Sequence, residues 1–180
     1  MKQKSTIWLL GLILGLTIEV PVAMAAPHPT RITFVDTGNT GRSVTAEALA
    51  DVIIAKRHLD AQVISCAVNL NPFNTHPEAN FIVLLDHRGI NVTSHVAAQF
   101  GAQEAEFSDL ILTMTEAHKT WILMHFPQTQ GKVFTLGEYA TDAQQEIQDP
   151  FGKSMDVYKV ALGQLDQMVG AAVTKAVARR

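Results

Sequence analysis

ITFVDTGNTGRSVTAEAL, residues 32–49, carries the strongest fold signal of this chain. An apolar, β-prone run ends at Asp36, a loop with two glycines follows, and apolar residues then recur at helical spacing from Ser43. A buried strand that passes through a short loop into a helix is typical of a parallel α/β sheet. The aspartate at the end of the strand is the first candidate for chemistry.

Three kinds of site place an aspartate at such a position. Asp-Thr-Gly after an apolar strand is typical of half an aspartic protease site, but those enzymes are all-β and this loop leads into a helix. An aspartyl-phosphate nucleophile works with Mg²⁺ and a second acid two positions later, where this chain has Gly38. The third interpretation is a loop that binds an anion.

The residues between Asp36 and the helix suit an anion-binding loop. Gly38 and Gly41 permit positive φ angles and close approach of the backbone, so that the amides of the loop can face an anion at a helix N-terminus. Arg42 adds a guanidinium fork that binds two phosphate oxygens at once. The predicted phosphate-binding residues are Thr37, Gly38, Asn39, Thr40, Gly41, Arg42 and Ser43.

Strands and helices alternate along the rest of the chain. Predicted strands cover 31–35, 61–68, 109–115 and 132–136, and predicted helices cover 43–58, 78–88, 118–126 and 155–177. The helix at 78–88 is expected to end at Gly89. This alternation predicts one α/β domain with a four-stranded parallel sheet.

Residues 1–26 have the features of a secretory signal peptide. A positively charged start precedes an apolar run at 7–16 that is short for a bilayer span, and small residues at A-x-A spacing follow. We expect cleavage after Ala25 or Ala26 and a domain at 27–180 that resides in the periplasm or is secreted. An uncleaved anchor is the alternative, and in either case the membrane is contacted only through this segment.

Composition excludes several other functions. The net charge is −3 at pH 7 and no basic run precedes the terminal arginine pair, which argues against nucleic acid as a partner. The single cysteine, Cys66, excludes an internal disulfide and is expected in a buried strand. Metal-ligand spacing is missing, so no metal or other cofactor is expected and a surface or capping role is predicted for His76, His87, His118 and His125.

Several segments resemble the low-molecular-weight protein tyrosine phosphatases. The family loop V-C-x-G-N-x-C-R-S matches V-D-T-G-N-T-G-R-S at residues 35–43. Family-like segments follow in family order: GINVTSHVAAQF (89–100), DLILTMTEAH (109–118), KVFTLGEY (132–139) and DPFG (149–152). The resemblance implies a three-layer αβα, flavodoxin-like phosphotyrosine phosphatase I fold, and a phosphorylated protein or a small phosphate-like anion as partner.

The resemblance also implies roles for individual residues. In the family the first loop residue is a cysteine thiolate that attacks phosphorus, and Asp36 occupies its place. Arg42 corresponds to the arginine that holds the phosphoryl oxygens, and Asp149 to the acid that protonates the leaving group and then activates water. Phe151 corresponds to an aromatic wall of the pocket. Thr40 matches the loop position that touches the substrate, and a threonine there resembles the branch that acts on phosphoarginine.

Other positions either match the family pattern or depart from it. The chain has valine at position 44, where proline is usual, and alanine at position 98, where arginine can occur. The residues that match loop-bracing positions are Asn39, Ser43, Ser65 and His95.

Both loop cysteines of the family are absent, because positions 36 and 41 hold aspartate and glycine. In the family this pair can form a disulfide when oxidised, so their joint loss is coherent with export. The oxygens of a carboxylate lie further from Cβ than a cysteine sulfur does. Asp36 is therefore expected to accept hydrogen bonds from the loop amides itself.

Two functional hypotheses follow from these departures. The first is a catalytically impaired phosphatase-like protein that binds a phosphate-like anion or a protein partner. A carboxylate is a weaker nucleophile than a thiolate when no metal shields the approaching anion, which favours this hypothesis. The second is an active phosphomonoesterase in which Asp36 is the nucleophile or the base and acts with Arg42 and Asp149.

Overall fold

The computed structural model describes residues 28–179. The predicted signal peptide at 1–26 lies outside the described residues. Within the described part, none of the helices is long and apolar enough to cross a membrane.

The centre of the fold is a parallel sheet with the strand order β2-β1-β3-β4. Its strands are β1 Thr30–Asp36, β2 Ala61–Ala67, β3 Leu110–Thr113 and β4 Val133–Thr135. All three strand pairs are parallel, and β1 pairs with β2 on one side and with β3 on the other. The four-stranded parallel α/β prediction is confirmed. In this flavodoxin-like order the strand sequence reverses between β1 and β3, which is where such sheets bind ligands.

Between residues 28 and 179, six α-helices flank the sheet. They are α1 Arg42–Arg57, α2 Ala79–Asp86, α3 Ala102–Phe107, α4 Glu116–His125, α5 Leu136–Thr141 and α6 Met155–Ala178, and a 3₁₀ turn at Pro127–Thr129 follows α4. The sequence did not predict α3 or α5, because six residues are too few to show a helical period. The helix expected to reach position 88 ends at Asp86, and Gly89 follows in a turn with a φ of 72°.

The helices form two layers, one on each face of the sheet. Ile32 and Phe34 of β1 pack in a cluster with residues of α1 and α6 on one face of the sheet. Val35 points to the opposite face and packs in a second cluster with Ile111 and Ile122. This division follows from the alternation of side chains along a strand. Because both faces are covered, apolar residues dominate the middle of the strands, and Asp36 lies at the carboxyl end of β1.

Candidate active site

The loop between β1 and α1 is held by an asparagine in the left-handed region. Asn39 has a φ of 56°, whereas Gly38 and Gly41 do not have positive φ angles, so the prediction that the glycines supply this conformation is wrong. Asparagine adopts this region when its short side chain is hydrogen-bonded locally. Gly41 instead leaves room for the Glu78 carboxyl group, which would have to shift for a Cβ that would lie 2.5 Å from its Oε1.

Asn39 is fully buried and is the centre of the bracing network. Its Nδ2 donates to Ser43 Oγ at 3.0 Å and to Ser65 Oγ at 2.8 Å, and its Oδ1 accepts from the Ala98 amide at 2.9 Å. His95 Nε2 lies 3.1 Å from the Asn39 carbonyl oxygen. The structure thus brings together the four residues that match bracing positions in the family pattern.

Glu47 extends this network and was not identified from the sequence. The Ser65 hydroxyl donates to Glu47 Oε2, so a chain of hydrogen bonds runs from Asn39 through Ser65 to a carboxylate on α1. Burial raises the pKa of Glu47, and the hydrogen bond from Ser65 opposes that shift. The only sequence signal is its position one helical turn after Ser43, on the same face of α1.

The Asp36 carboxylate binds the amides of its own loop. Oδ1 accepts from the Asn39 amide at 2.6 Å and Oδ2 accepts from the Ser43 amide at 2.9 Å, as expected from the reach of a carboxylate. The side chain is buried, with 3% of the residue exposed. Both oxygens therefore satisfy N–H groups near the start of α1, where the partial positive charge of the helix favours an anion.

Arg42 faces the same space and is bound by a distant acid. Its two terminal nitrogens donate to the Ile147 carbonyl oxygen at 3.1 Å and to Asp149 Oδ2 at 2.8 Å. The other carboxylate oxygen of Asp149 accepts from the Phe151 amide at 3.1 Å, which orients the segment after the acid. Asp36 thus accepts hydrogen bonds from two of the loop amides, and Asp149 accepts one from the guanidinium of Arg42.

These groups line a cleft of about 250 Å³ at the carboxyl end of β1. Phe151 is 61% exposed and lies in its wall. A larger groove of about 640 Å³ lies between α1 and α6, and its charged lining includes the exposed pair Arg88 and Asp166. Only the smaller cleft contains the predicted residues Asp36, Arg42 and Asp149, so we assign the candidate site to it.

Glu78 is a further acid in the cleft that was not identified from the sequence. Its Oε2 accepts from the Tyr158 hydroxyl at 2.5 Å. Burial is the main reason that its pKa is raised, and the nearby Asp149 and Asp36 carboxylates raise it further, while the Tyr158 hydrogen bond and Arg42 oppose the shift. Three carboxyl groups therefore surround one guanidinium.

His118 also contacts the loop, which corrects its predicted surface or capping role. It is buried in α4, and its Nε2 lies 2.9 Å from Thr37 Oγ1. Burial lowers its pKa, and Arg42 adds to this effect. Within the part of the chain that the structure describes, no partner reaches its Nδ1. The other three histidines are exposed, and no group of three potential metal ligands occurs among residues 28–179.

The single cysteine lies away from the loop. Cys66 is buried in β2, where it pairs in register with Val35. Burial raises the pKa of its thiol to about 12, so it is a neutral thiol at physiological pH. The loop at 36–43 itself contains no cysteine. No thiolate is therefore available at this site.

Comparisons with known proteins agree with this geometry. The family described as low molecular weight phosphotyrosine protein phosphatase matches residues 31–180. A protein-arginine-phosphatase of Bacillus subtilis is 37% identical over 139 residues, which covers 77% of this chain and 91% of the relative. The low molecular weight protein-tyrosine-phosphatase PtpB of Staphylococcus haemolyticus is 35% identical over 140 residues, which covers 78% of this chain and 95% of the relative.

Solved structures show the same fold. The YwlE arginine phosphatase of Geobacillus stearothermophilus superimposes with a TM-score of 0.77 at 30% identity, covering 84% of this chain and 95% of that one. A second structure is a cysteine-to-serine mutant of a YwlE arginine phosphatase, described as having a phosphorylated active-site serine. It also gives a TM-score of 0.77, at 34% identity, and the match covers 81% of this chain and 94% of that one. This chain belongs to the low-molecular-weight phosphotyrosine protein phosphatase family.

Proposed function

We propose that this chain is an exported, catalytically impaired member of the family that binds a phosphate-like anion, free or on a phosphorylated protein. The observation that carries the proposal is the position of Asp36. Its carboxylate accepts hydrogen bonds from the Asn39 and Ser43 amides at the start of α1, so an anionic group already lies at the anion-binding end of this helix.

Impaired hydrolysis follows from the nature of the group at position 36. We infer that Asp36 replaces the family's cysteine nucleophile, because it occupies the first position of the loop motif. The phosphorylated serine described for the cysteine-to-serine mutant of a relative supports a nucleophilic role for that cysteine in the relative. A carboxylate with both oxygens hydrogen-bonded to amides is a poor nucleophile toward a phosphate dianion. Cys66 offers no substitute, because it is a buried neutral thiol.

Arg42 supports anion binding because its guanidinium is held in the cleft. Its fork is held by the Ile147 carbonyl oxygen and by Asp149, and the latter is half-exposed. Because water reaches the half-exposed Asp149 carboxylate, a phosphate-like anion can displace it from the guanidinium. The bracing network around Asn39 keeps the loop in shape for such a ligand.

An active phosphomonoesterase is the second candidate. It is favoured by the retention of Arg42 and Asp149 in one cleft and by relatives that are named as protein-arginine and protein-tyrosine phosphatases. In this case Asp36 is the nucleophile or the base for water, and Asp149 is the acid. Thr40 lines the cleft, and the arginine phosphatase relatives support phosphoarginine as the substrate class.

Export is proposed from the sequence alone. Residues 1–26 have the pattern of a signal peptide, and both cysteines of the loop motif are missing. A periplasmic or secreted location exposes loop thiols to oxidation, which gives a reason for their loss.

The test combines a binding and a hydrolysis measurement on the chain without its predicted signal peptide. Titration calorimetry with inorganic phosphate should show binding that weakens about tenfold to hundredfold in Arg42→Ala, which removes charge-assisted hydrogen bonds. Hydrolysis of p-nitrophenyl phosphate should stay at background. Arg42→Lys, which keeps the charge but loses the fork, should give an intermediate affinity.

Two results would contradict this proposal. If phosphate does not bind to the folded chain, the anion-binding function is wrong. If the parent turns over rapidly and Asp36→Asn abolishes the activity, the active phosphomonoesterase is correct.

A further inference from the structure

The backbone of Glu78 is attached to the phosphate-binding loop. Glu78 precedes α2 as its N-cap residue, and its amide donates to the Thr40 carbonyl oxygen at 2.8 Å. The main chain at this position is therefore fixed relative to the loop, and the side chain projects from a defined point in the wall of the cleft.

The carboxyl group of Glu78 has one engaged and one available oxygen. Oε2 accepts from the Tyr158 hydroxyl, and burial together with Glu78 itself raises the pKa of Tyr158, which keeps that donor protonated. Among residues 28–179, no donor is hydrogen-bonded to Oε1. A Cβ at position 41 would lie 2.5 Å from this oxygen. Because Gly41 has no side chain, the carboxyl group of Glu78 can lie against the loop.

The charges around Glu78 are unbalanced. Asp36 and Arg42 face it from the loop and α1, Asp149 faces it from the segment before α6, and the polar Tyr158 faces it from α6. Arg42 is the single cation among them and is already paired with Asp149. A fully deprotonated anion that enters the cleft therefore meets an uncompensated carboxylate at Glu78.

We propose that Glu78 is a specificity-determining residue that selects oxyanions carrying a proton, such as hydrogen phosphate or a phosphomonoester monoanion, over anions without one, such as sulfate. This inference rests on the proposed anion-binding function. A carboxylate oxygen and an anion oxygen are both acceptors, so they approach within hydrogen-bond distance only when a proton lies between them. Phosphate brings that proton at neutral pH and sulfate does not.

Titration calorimetry of the chain with inorganic phosphate and with sodium sulfate tests this inference. At neutral pH the parent should bind phosphate at least about tenfold more tightly than sulfate, the scale expected when a buried acceptor is left unpaired. Glu78→Gln should remove most of this preference, because its amide donates directly to sulfate. As the pH falls and the carboxyl group of Glu78 becomes protonated, sulfate affinity should rise more steeply in the parent than in Glu78→Gln, where only Asp36 and Asp149 still titrate in the cleft.

Two glycine variants provide a second, matched comparison. Gly41→Ala places a Cβ 2.5 Å from the present position of Glu78 Oε1, so it should displace the carboxyl group and also reduce the preference for phosphate. Gly163→Ala, on α6 and outside the cleft lining, adds a Cβ that meets nothing within 4 Å, and it should keep the preference. Thermal melting verifies that each variant is folded.

The possible failures are distinguishable. Equal affinity of the parent for the two anions, or a preference for phosphate that is unchanged in folded Glu78→Gln, overturns the role of Glu78 and leaves anion binding intact. Absence of binding for both anions throughout the pH range overturns this inference together with the proposed function.

Discussion

Arg42 and Asp149 form an ion pair of 2.8 Å although 107 positions separate them in the chain. The side chain of Arg42 is 4% exposed and that of Asp149 is 53% exposed. Arg42 is thus fixed at the buried side of the cleft, while the Asp149 side chain can move into solvent. An anion that enters the cleft competes with Asp149 for the guanidinium.

Asp149→Asn should therefore strengthen binding of inorganic phosphate. We expect a Kd that is lower by roughly two- to fivefold in calorimetry, because the variant keeps Arg42 and removes the half-exposed carboxylate that competes for it. Asp156→Asn removes the same charge from an exposed residue at the start of α6 and should have little effect. Weaker binding in Asp149→Asn would show that this acid contributes to the anion site instead of competing for it.

Asp36→Cys should create hydrolytic activity. The N-terminus of α1 and the nearby Arg42 favour a thiolate at this position, and the remaining site is already braced. Under reducing conditions, hydrolysis of p-nitrophenyl phosphate should rise by about 10²-fold or more over the parent.

Asp36→Asn serves as the control for this gain, because it removes the charge without adding a nucleophile. Gly41 leaves the new cysteine without a loop partner, so an intramolecular disulfide within the loop cannot hide the result. A folded Asp36→Cys variant without activity would mean that the cleft has lost more than its nucleophile.

Asn39→Ala should destabilise the protein by about 1–3 kcal/mol in urea unfolding. It removes the side-chain partner of Ser43, Ser65 and the Ala98 amide, and it places alanine at a φ of 56°. Asn39→Gly separates the two effects, since glycine adopts this φ without strain. If Asn39→Gly restores full stability, the backbone conformation and not the hydrogen bonds would account for the loss.

His118 should make the chain less stable on mild acidification. Burial and Arg42 lower its pKa below the ordinary value of 6.5, so the unfolded chain binds a proton at a pH where the folded chain does not. Its contribution is present above pH 6.5 and is lost as the pH falls from there toward the folded-state value. The difference in the free energy of unfolding between parent and His118→Gln should shrink over this window.

Urea unfolding at a series of pH values measures this difference, and His76→Gln, at an exposed histidine, is the control. A difference that grows as the pH falls would indicate that the buried ring is charged in the folded protein.

Export makes a prediction about the mature N-terminus. Protein made in a native-type host should begin at Ala26 or Pro27 and should be recovered outside the cytoplasm, because cleavage follows the small residues at A-x-A spacing. N-terminal sequencing of fractionated cells provides the measurement. Cytoplasmic protein that retains Met1 would contradict it.

Local sequence determined the elements that extend over many residues and the group at the end of the first strand. The apolar run before Asp36 and the helical period after Ser43 are properties of neighbouring residues, and they predicted β1, α1 and the presence of Arg42 next to the start of α1. The reach of the Asp36 carboxylate to amides three and seven positions later is equally local. Short helices such as α3 were not predicted, because six residues are too few to show a helical period.

Only the tertiary structure decided which distant groups share the cleft. Parallel strands place their carboxyl ends at one edge of the sheet, and the segments that follow them bring Glu78 and His118 to the loop. The left-handed conformation of Asn39, rather than of the glycines, depends on partners in β2 and in the segment before α3. The contact of Arg42 with Asp149 likewise needs the whole fold, because no local pattern relates residues so far apart in sequence.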